Sequence, residues 1–296
     1  MEENEFRVVR ILRDRYILEN DGQVIEAVTS GNMKKRKKLI VGDIVRVKKN
    51  YDKYIIEEAS ERKNDLIRPP VANIDQMIIV LSIDNPLPDY MLLDKEIILC
   101  FSKNIEPILC INKMDLAFSD NKEIEYIKNV YEKLGFKVIY TSIHDEDSIN
   151  KLKVVLKGKV SAFSGNSGVG KSSITQKIIG DRVSVEIGEL GKKTNKGKHT
   201  TKHVQLYTTD HDTYLLDTPG FSSYELYDVD HKELKKYYPD FSECLCDYED
   251  CVHVIESSNV CGVKRKVEEG RIDKERYDRY VYIYTKLKEQ YDKRYK

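Results

Sequence analysis

The sequence predicts a multi-domain protein with three parts: a small β-barrel, a central α/β domain and a C-terminal helical domain. Three observations predict this architecture. Five short β-rich segments occur before residue 68, apolar strands alternate with amphipathic helices from residue 74 to about 225, and tyrosines recur at helical spacing near the C-terminus. A length of 296 residues suits two or three domains. We therefore expect domains at residues 1–68, 69–225 and 226–296.

The first 68 residues have the pattern of short strands joined by turns. Turn residues, among them Asp21-Gly22 and Gly42-Asp43, separate the strands. Five strands in this length predict a barrel of the OB type. The predicted strands are Phe6–Leu12, Tyr16–Leu18, Val24–Val28, Asp43–Val47 and Tyr54–Ile56. The basic run Lys34–Lys38 falls in a predicted loop, which is either simply solvated or contacts a phosphate backbone.

The central part begins after Arg68-Pro69-Pro70, which interrupts the strand pattern and predicts a linker. Strands then alternate with amphipathic helices, a pattern typical of a mostly parallel, doubly wound sheet. We predict strands at 76–82, 107–111, 137–141, 160–164, 203–208 and 214–216, and helices at 89–102, 122–134, 149–156 and 172–179. Near the C-terminus, a helical stripe favours packing over base stacking. Its members are Tyr277, Tyr280, Tyr284, Leu287 and Tyr291.

Composition limits the cellular setting but not the function. Lys plus Arg and Asp plus Glu both number 50, so bulk charge does not predict a nucleic-acid partner. The acidic N-terminus has no apolar run behind it, and Met77–Ile83 is too short to span a bilayer. We expect a cytoplasmic monomer without a membrane partner, in which cysteines are thiols or metal ligands rather than disulfides.

A phosphate-loop motif follows the predicted strand at 160–164 and precedes a predicted helix. Its glycines allow backbone N–H groups to converge on phosphate oxygens at the positive end of that helix. Lys171 would bridge the β- and γ-phosphates, and the Ser172 hydroxyl would bind Mg²⁺. We assign nucleotide binding to the loop and its flanks: Ser164, Gly165, Asn166, Ser167, Gly168, Val169, Gly170, Lys171, Ser172 and Ser173.

A second motif, Asp217-Thr218-Pro219-Gly220, ends the predicted strand at 214–216. Downstream of a phosphate loop, Asp217 can hold Mg²⁺ through water and Gly220 can offer its N–H to a γ-phosphate. A polar stretch between the two motifs carries Thr200 and Thr201, and either hydroxyl can complete a magnesium site in a switch loop.

A base-reading motif ends another predicted strand. It consists of Asn112, Lys113, Met114 and Asp115. The Asp115 carboxylate matches the two adjacent donors of guanine, N1–H and the 2-amino group, whereas adenine presents an acceptor at N1. Ser142 follows a further strand and would place a backbone N–H near the guanine O6. These motifs precede the phosphate loop, so the order of a usual GTPase is circularly permuted, which a sheet tolerates when the original termini are close.

Taken together, these features resemble the ribosome small-subunit-dependent GTPase A family of bacteria. The resemblance spans nearly the whole chain and includes the permuted order, the loop GNSGVGKSS, the GKHTT stretch, the DTPGF motif, the barrel-like start and the cysteine-rich end. It implies GTP hydrolysis stimulated by the small ribosomal subunit, a role in late maturation of that subunit, and contacts of the barrel and a zinc domain with ribosomal RNA.

The same resemblance implies one structural zinc ion. Cys246, Cys251 and His253 match the start of the family's zinc pattern, and Cys261 would be the fourth ligand. Three thiolates and one imidazole suit tetrahedral zinc. Seven residues separate His253 from Cys261, where the family has about five. Cys244 is a further thiol nearby, so either it or Cys261 can complete the site.

The sequence leaves open which group positions the attacking water. Phe221 follows Gly220, where many GTPases carry a Gln that orients water. His199 is the nearest polar candidate, although it can equally contact RNA or solvent. Two other functions also stay open: a regulatory GTP-binding module for a different RNA or protein, and an adenine-nucleotide phosphotransferase in which Asn112–Asp115 is coincidental.

Overall fold

The computed structural model describes residues 4–13, 15–30, 38–51, 53–118, 121–180, 204–210, 212–217, 226 and 228–294. Within these ranges, eleven strands form one sheet in the order β10-β9-β8-β11-β13-β12-β1-β2-β3-β5-β4. One end of this sheet belongs to an α/β domain and the other end curls into a barrel. The predicted fold class is thereby confirmed.

The barrel contains five strands and closes on itself. β1 pairs with β2, β2 with β3, β3 with β5, β5 with β4, and β4 again with β1. Alternate side chains such as Val8, Leu18 and Ile56 fill its interior and are fully buried, as the period-2 pattern requires. The strands are β1 (Glu5–Ile11), β2 (Tyr16–Asn20), β3 (Gln23–Thr29), β4 (Ile44–Asn50) and β5 (Lys53–Ala59). Residues 34–37 of the basic run lie outside the described residues.

The segment predicted as a linker is instead a packed hairpin of β6 (Asp65–Ile67) and β7 (Pro70–Ala72). Asn64 exchanges two hydrogen bonds with the backbone of Ile74, at 2.8 and 2.9 Å. The Asn73 amide donates to the carbonyl of Gly42 in the barrel at 2.9 Å. Pro69 lies in the turn, Pro70 begins β7, and buried asparagines satisfy the backbone around them, so the junction is rigid.

The α/β domain has parallel strands with helices on both faces. β10, β9, β8, β11 and β13 run parallel, and β12 pairs antiparallel with β13. Its strands are β8 (Gln76–Ser82), β9 (Glu106–Asn112), β10 (Lys137–Tyr140), β11 (Val160–Ser164), β12 (Gln205–Asp210) and β13 (Thr213–Asp217). Its helices are α1 (Tyr90–Ser102), α2 (Lys122–Ile127, continued by a π-helical turn), α3 (Glu146–Leu156) and α4 (Lys171–Ile179). Parallel strands place their carboxyl ends at one edge, where ligands bind in such sheets.

The barrel and the α/β domain are joined by more than the hairpin. β12 pairs with β1, with Arg10 opposite Gln205. Tyr214 in β13 donates a hydrogen bond from its hydroxyl to the buried carboxylate of Glu19, and the guanidinium of Arg7 lies 4.8 Å from the centre of the Tyr214 ring. The barrel therefore rests on the strand pair whose second member ends at Asp217.

The C-terminal lobe packs on the outer side of α1. It holds two short 3₁₀ helices (Leu234–Tyr237 and Pro239–Phe241), α5 (Gly262–Glu268) and α6 (Lys274–Arg294). Tyr280, Tyr284 and Leu287 are buried in the lobe core together with Ile98 of α1. The predicted stripe therefore packs against the rest of the molecule up to Leu287, whereas its last member, Tyr291, is 42% exposed. Among the residues described, no helix combines the length and apolarity needed to cross a membrane.

Candidate nucleotide and zinc sites

The phosphate-loop residues lie between β11 and α4. A Cβ on Gly165 would stand 2.2 Å from the carbonyl oxygen of Val80, and a Cβ on Gly170 would stand 2.3 Å from the side-chain nitrogen of Asn112. Both glycines also have positive φ, at 119° and 98°. The chain can thus turn tightly here only without side chains. The turn leads into α4 at Lys171, and the first N–H groups of a helix have no partner within it.

Some side chains of the phosphate loop are buried and others face solvent. Ser164 and Val169 are buried, whereas Ser167, Ser172 and Ser173 are exposed. The ammonium of Lys171 donates to the carbonyl oxygens of Gly165 and Asn166, at 2.5 and 2.6 Å. Partial burial lowers the pKa of Lys171. Exposed N–H groups and hydroxyls, with one ammonium close by, form an arrangement suited to phosphate and Mg²⁺.

The base-reading residues meet the phosphate loop directly. The Asn112 side chain, at the end of β9, donates to the carbonyl of Val169 at 2.8 Å. The hydroxyl of Thr141 donates to the other end of the same amide at 3.2 Å, which fixes its orientation. Thr141 escaped assignment from the sequence, although it lies between Tyr140 and Ser142 at the end of β10.

Lys113 and Asp115 continue this motif beyond the strand. Lys113 has a left-handed backbone, φ 64°, and its ammonium donates to the carbonyls of Asp84 and Asn85 after β8. The Asp115 carboxylate is exposed and accepts a hydrogen bond from the Ser142 hydroxyl, which lowers its pKa. An ionised carboxylate facing solvent next to Ser142 has the chemistry that guanine requires. Met114 is half-buried in the turn between them.

Asp217 is the last residue of β13, next to the strand that leads into the phosphate loop. Since β11 and β13 are parallel, their carboxyl ends meet at the same edge of the sheet. The other predicted switch residues lie outside the described residues: His199, Thr200, Thr201, Gly220 and Phe221.

The cysteine-rich loops bring four predicted ligands together. The sulfurs of Cys246, Cys251 and Cys261 lie 3.6, 3.2 and 3.5 Å from Nδ1 of His253, and all four ligand atoms lie within 4.8 Å of one another. Zn–S bonds of about 2.3 Å and Zn–N bonds of about 2.0 Å give tetrahedral S–N edges of about 3.5 Å. The donor set and its spacing therefore fit zinc. Burial lowers the pKa of His253 to about 4, so its imidazole is in the neutral form that binds metals.

Cys244 lies apart from this group. Its sulfur points to the carbonyl oxygen of Asp240 at 3.6 Å. The loop that carries Cys246 is held against α5, because the N–H of Gly262 donates to the Cys246 sulfur at 3.3 Å. A Cβ on Gly262 would stand 2.2 Å from the carbonyl oxygen of Leu245. This close approach brings Cys246 beside Cys261, although fourteen residues separate them in the sequence.

Comparisons with known proteins agree with this arrangement. The family model described as RsgA GTPase matches residues 59–227. A protein of Caldanaerobacter subterraneus named small ribosomal subunit biogenesis GTPase RsgA is 40% identical over the full length of both chains. Its namesake in Alkaliphilus metalliredigens is 36% identical and covers 95% of this chain and 97% of its own.

Two solved structures share the fold along nearly the whole chain. YjeQ from Thermotoga maritima superposes with a TM-score of 0.82 at 32% identity, covering 96% of this chain and 98% of its own. YloQ, described as a circularly permuted GTPase, gives a TM-score of 0.81 at 32% identity and covers 98% of both chains. The predicted permutation is confirmed by this likeness, and the chain belongs to the RsgA GTPase family.

Proposed function

We propose that this protein hydrolyses GTP to GDP and phosphate as a late assembly factor of the small (30S) ribosomal subunit. The observation that carries the proposal is the contact between Asn112 and Val169, which joins a guanine-type reading motif to a phosphate loop. The names of full-length relatives supply the ribosomal context. Stimulation of turnover by the subunit, and release upon hydrolysis, belong to the same proposal.

The described residues support specific roles in nucleotide binding. Asp115 selects guanine, and the Ser142 hydroxyl orients its carboxylate. Asn112 holds the phosphate loop in place through its hydrogen bond to the Val169 carbonyl. Lys171 stabilises phosphate charge. Ser172 and Asp217, with Thr200 or Thr201, would hold Mg²⁺, which supplies positive charge to the β- and γ-phosphates. An adenine-nucleotide function is disfavoured, because Asp115 would face the N1 acceptor of adenine.

The two flanking parts serve attachment in this proposal. Residues 1–68 form an RNA-binding OB domain, residues 69–225 the GTPase domain, and residues 226–296 a domain held by one structural zinc ion on Cys246, Cys251, His253 and Cys261. The run Lys34–Lys38 supplies a local positive charge that fits a phosphate backbone, although the chain as a whole is neutral. The protein acts as a monomer in the cytoplasm.

Co-sedimentation with purified small subunits tests the proposal. The protein should sediment with the subunit in the presence of a non-hydrolysable GTP analogue and much less in the presence of GDP. Lys171→Ala should lose this difference, and Lys177→Ala, an exposed lysine on the same helix, should keep it. Equal sedimentation with both nucleotides would overturn release by hydrolysis. No sedimentation at all would favour a regulatory GTP-binding module for another RNA or protein.

A further inference from the structure

A buried cluster of charges joins α1 to the C-terminal lobe. Asp94 of α1 and Arg276 of α6 are each 1% exposed and form an ion pair. Arg279 donates to the second oxygen of Asp94 at 2.6 Å, and the hydroxyl of Tyr131 donates to the first oxygen at 2.9 Å. Arg276 also reaches Asp240 at 3.3 Å, in the segment that precedes the cysteine loops.

This cluster fixes the lobe relative to α1. Burial disfavours the charge of Arg276, but Asp94 and Asp240 outweigh it and raise the pKa of Arg276. Removing one member of a buried pair leaves an uncompensated buried charge, which is strongly destabilising. The buried cluster therefore holds the lobe and α1 together as one unit. An exposed ion pair, such as Arg271 with Glu269, contributes much less to such an attachment.

The opposite side of α1 faces the phosphate loop. Glu96 follows Asp94 by two positions, and successive helical residues are about 100° apart, so the two carboxyl groups lie on opposite faces. Glu96 is 1% exposed and lines a small cavity with Gly165 and Asn166. Burial raises the pKa of Glu96 to about 8, and its Oε1 has no hydrogen-bond partner among the described residues. Helix α1 thus carries two buried carboxyl groups: Asp94 faces the C-terminal lobe and Glu96 faces the phosphate loop.

We propose that α1 couples the orientation of the C-terminal lobe to the phosphate loop, with Asp94 as its contact to the lobe and Glu96 as a positioning residue for the loop. Helix α1 is bonded to the lobe and lines one cavity with the phosphate loop, so a displacement of either partner reaches the other through it. Nucleotide affinity then responds to the lobe, and by linkage the lobe responds to the nucleotide. The inference rests on the proposed nucleotide site but not on the ribosomal target.

The affinity and dissociation rate of a fluorescent GDP test this coupling without any ribosome. Arg276→Met keeps an unbranched apolar stem and removes the charged guanidinium. Because coupling free energies are typically about 1–3 kcal/mol, we expect a change in GDP affinity of about fivefold or more. Arg271→Met is the matched control, since it alters an exposed arginine of the same lobe. Glu96→Gln tests the opposite face of the helix, which borders the phosphate loop.

The double variant Arg276→Met/Glu96→Gln shows whether both residues act through one route. If they do, its effect on GDP affinity is smaller than the sum of the single effects. Zinc content and the circular dichroism spectrum identify folded protein. If Arg276→Met does not fold, Arg279→Met removes the more peripheral arm, 11% exposed, and takes its place.

Folded, zinc-loaded Arg276→Met with the GDP affinity and dissociation rate of the parent would overturn the coupling, as would strictly additive effects. A parent protein that binds no fluorescent GDP would instead overturn the proposed nucleotide site. A parent protein that shows this coupling but does not bind the small subunit would leave the inference standing and refute the ribosomal function. The two failures are therefore distinguishable.

Discussion

In the proposed site, guanine is selected by one exposed side chain, Asp115, which accepts a hydrogen bond from one hydroxyl. The bond from Ser142 orients its carboxylate and lowers its pKa. Asp115→Asn would place an amide donor opposite a donor of guanine, and leaving polar groups unpaired costs about 1–3 kcal/mol each. We expect GTP affinity to fall about 10²-fold and xanthosine triphosphate, which has a carbonyl at position 2, to become the preferred ligand.

The measurement is competition between the two nucleotides for parent and variant. Asp145→Asn is a suitable control, because Asp145 caps the following helix α3 without belonging to the base-reading motif. Unchanged affinity for both nucleotides in Asp115→Asn would remove Asp115 from base recognition.

Gly170 offers a second test at the scale of single residues. Alanine at this position would bring its Cβ to 2.3 Å from the Asn112 amide and would have to adopt a φ of 98°. The Asn112–Val169 bond should break, and nucleotide affinity should fall tenfold or more, since tenfold corresponds to about 1.4 kcal/mol. Gly158→Ala is the matched control: its φ is 70°, but nothing lies within 4 Å of its Cβ.

Thermal unfolding separates the two causes. Backbone strain alone costs roughly 1–2 kcal/mol, so both alanine variants should melt earlier. Only Gly170→Ala should also bind nucleotide more weakly. Equal nucleotide affinity in the two variants would contradict the role of the Asn112 contact in shaping the loop.

Motifs made of adjacent residues were visible in the sequence, whereas their partners from distant segments were not. The phosphate loop and Asn112–Asp115 follow fixed spacings that chemistry dictates. Thr141 and Glu96 carry no such spacing, because they reach the site from a strand end and from the buried face of a helix. Their roles follow from packing, which depends on contacts far apart in the chain.

At the scale of elements, we expect the cysteine loops to depend on metal more than on regular structure. Few of their residues belong to helices or strands, and beside the cysteines they pack on aromatic rings such as Phe241, which lies against His253. Removal of zinc by a chelator should lower the unfolding temperature of the lobe, because metal binding contributes folding free energy in such small domains. Elemental analysis should find one zinc per chain in the protein before treatment.

Two cysteine variants give this prediction a matched pair. Cys246→Ser removes a proposed ligand and should abolish zinc retention. Cys244→Ser alters a sulfur that faces the Asp240 carbonyl and should retain zinc. Equal loss of zinc in both variants would show that Cys244 is a ligand, and full retention in both would show that neither is.

The five barrel strands and the α/β alternation followed from periodicity, but the linker prediction at Arg68-Pro69-Pro70 did not hold. Prolines mark interruptions of regular pairing, and they do not distinguish a free linker from a tight hairpin. What makes this hairpin rigid is the pair Asn64 and Asn73, whose side chains bond to backbone groups on either side of it. Such bonds depend on burial, which composition does not reveal.

On the scale of the whole molecule, both flanking parts contact the elements that shape the nucleotide site. The barrel pairs with β12 and holds Tyr214 of β13 through Glu19, and the C-terminal lobe holds α1 through Asp94. Pairing between β1 and β12 joins segments almost two hundred positions apart, and no local pattern predicts it. The barrel thus supports the sheet and the C-terminal lobe supports α1, so contacts between distant segments bring both flanking parts to the elements around one site.

This arrangement leads to a prediction about turnover. Phe221 cannot orient water, so the isolated protein should hydrolyse GTP slowly, at a rate closer to unassisted small GTPases than to their activated forms, which differ by about 10⁵-fold. Docking of the barrel and the lobe on ribosomal RNA would fix the sheet and α1 from both sides and bring His199 to the water.

Turnover is measured with and without small subunits, for the parent and for His199→Ala, with His144→Ala as a control away from the switch segment. We expect strong stimulation of the parent and of His144→Ala, and little stimulation of His199→Ala. Fast turnover by the isolated parent would refute control by docking, whereas normal stimulation of His199→Ala would retain docking and assign the water to another group.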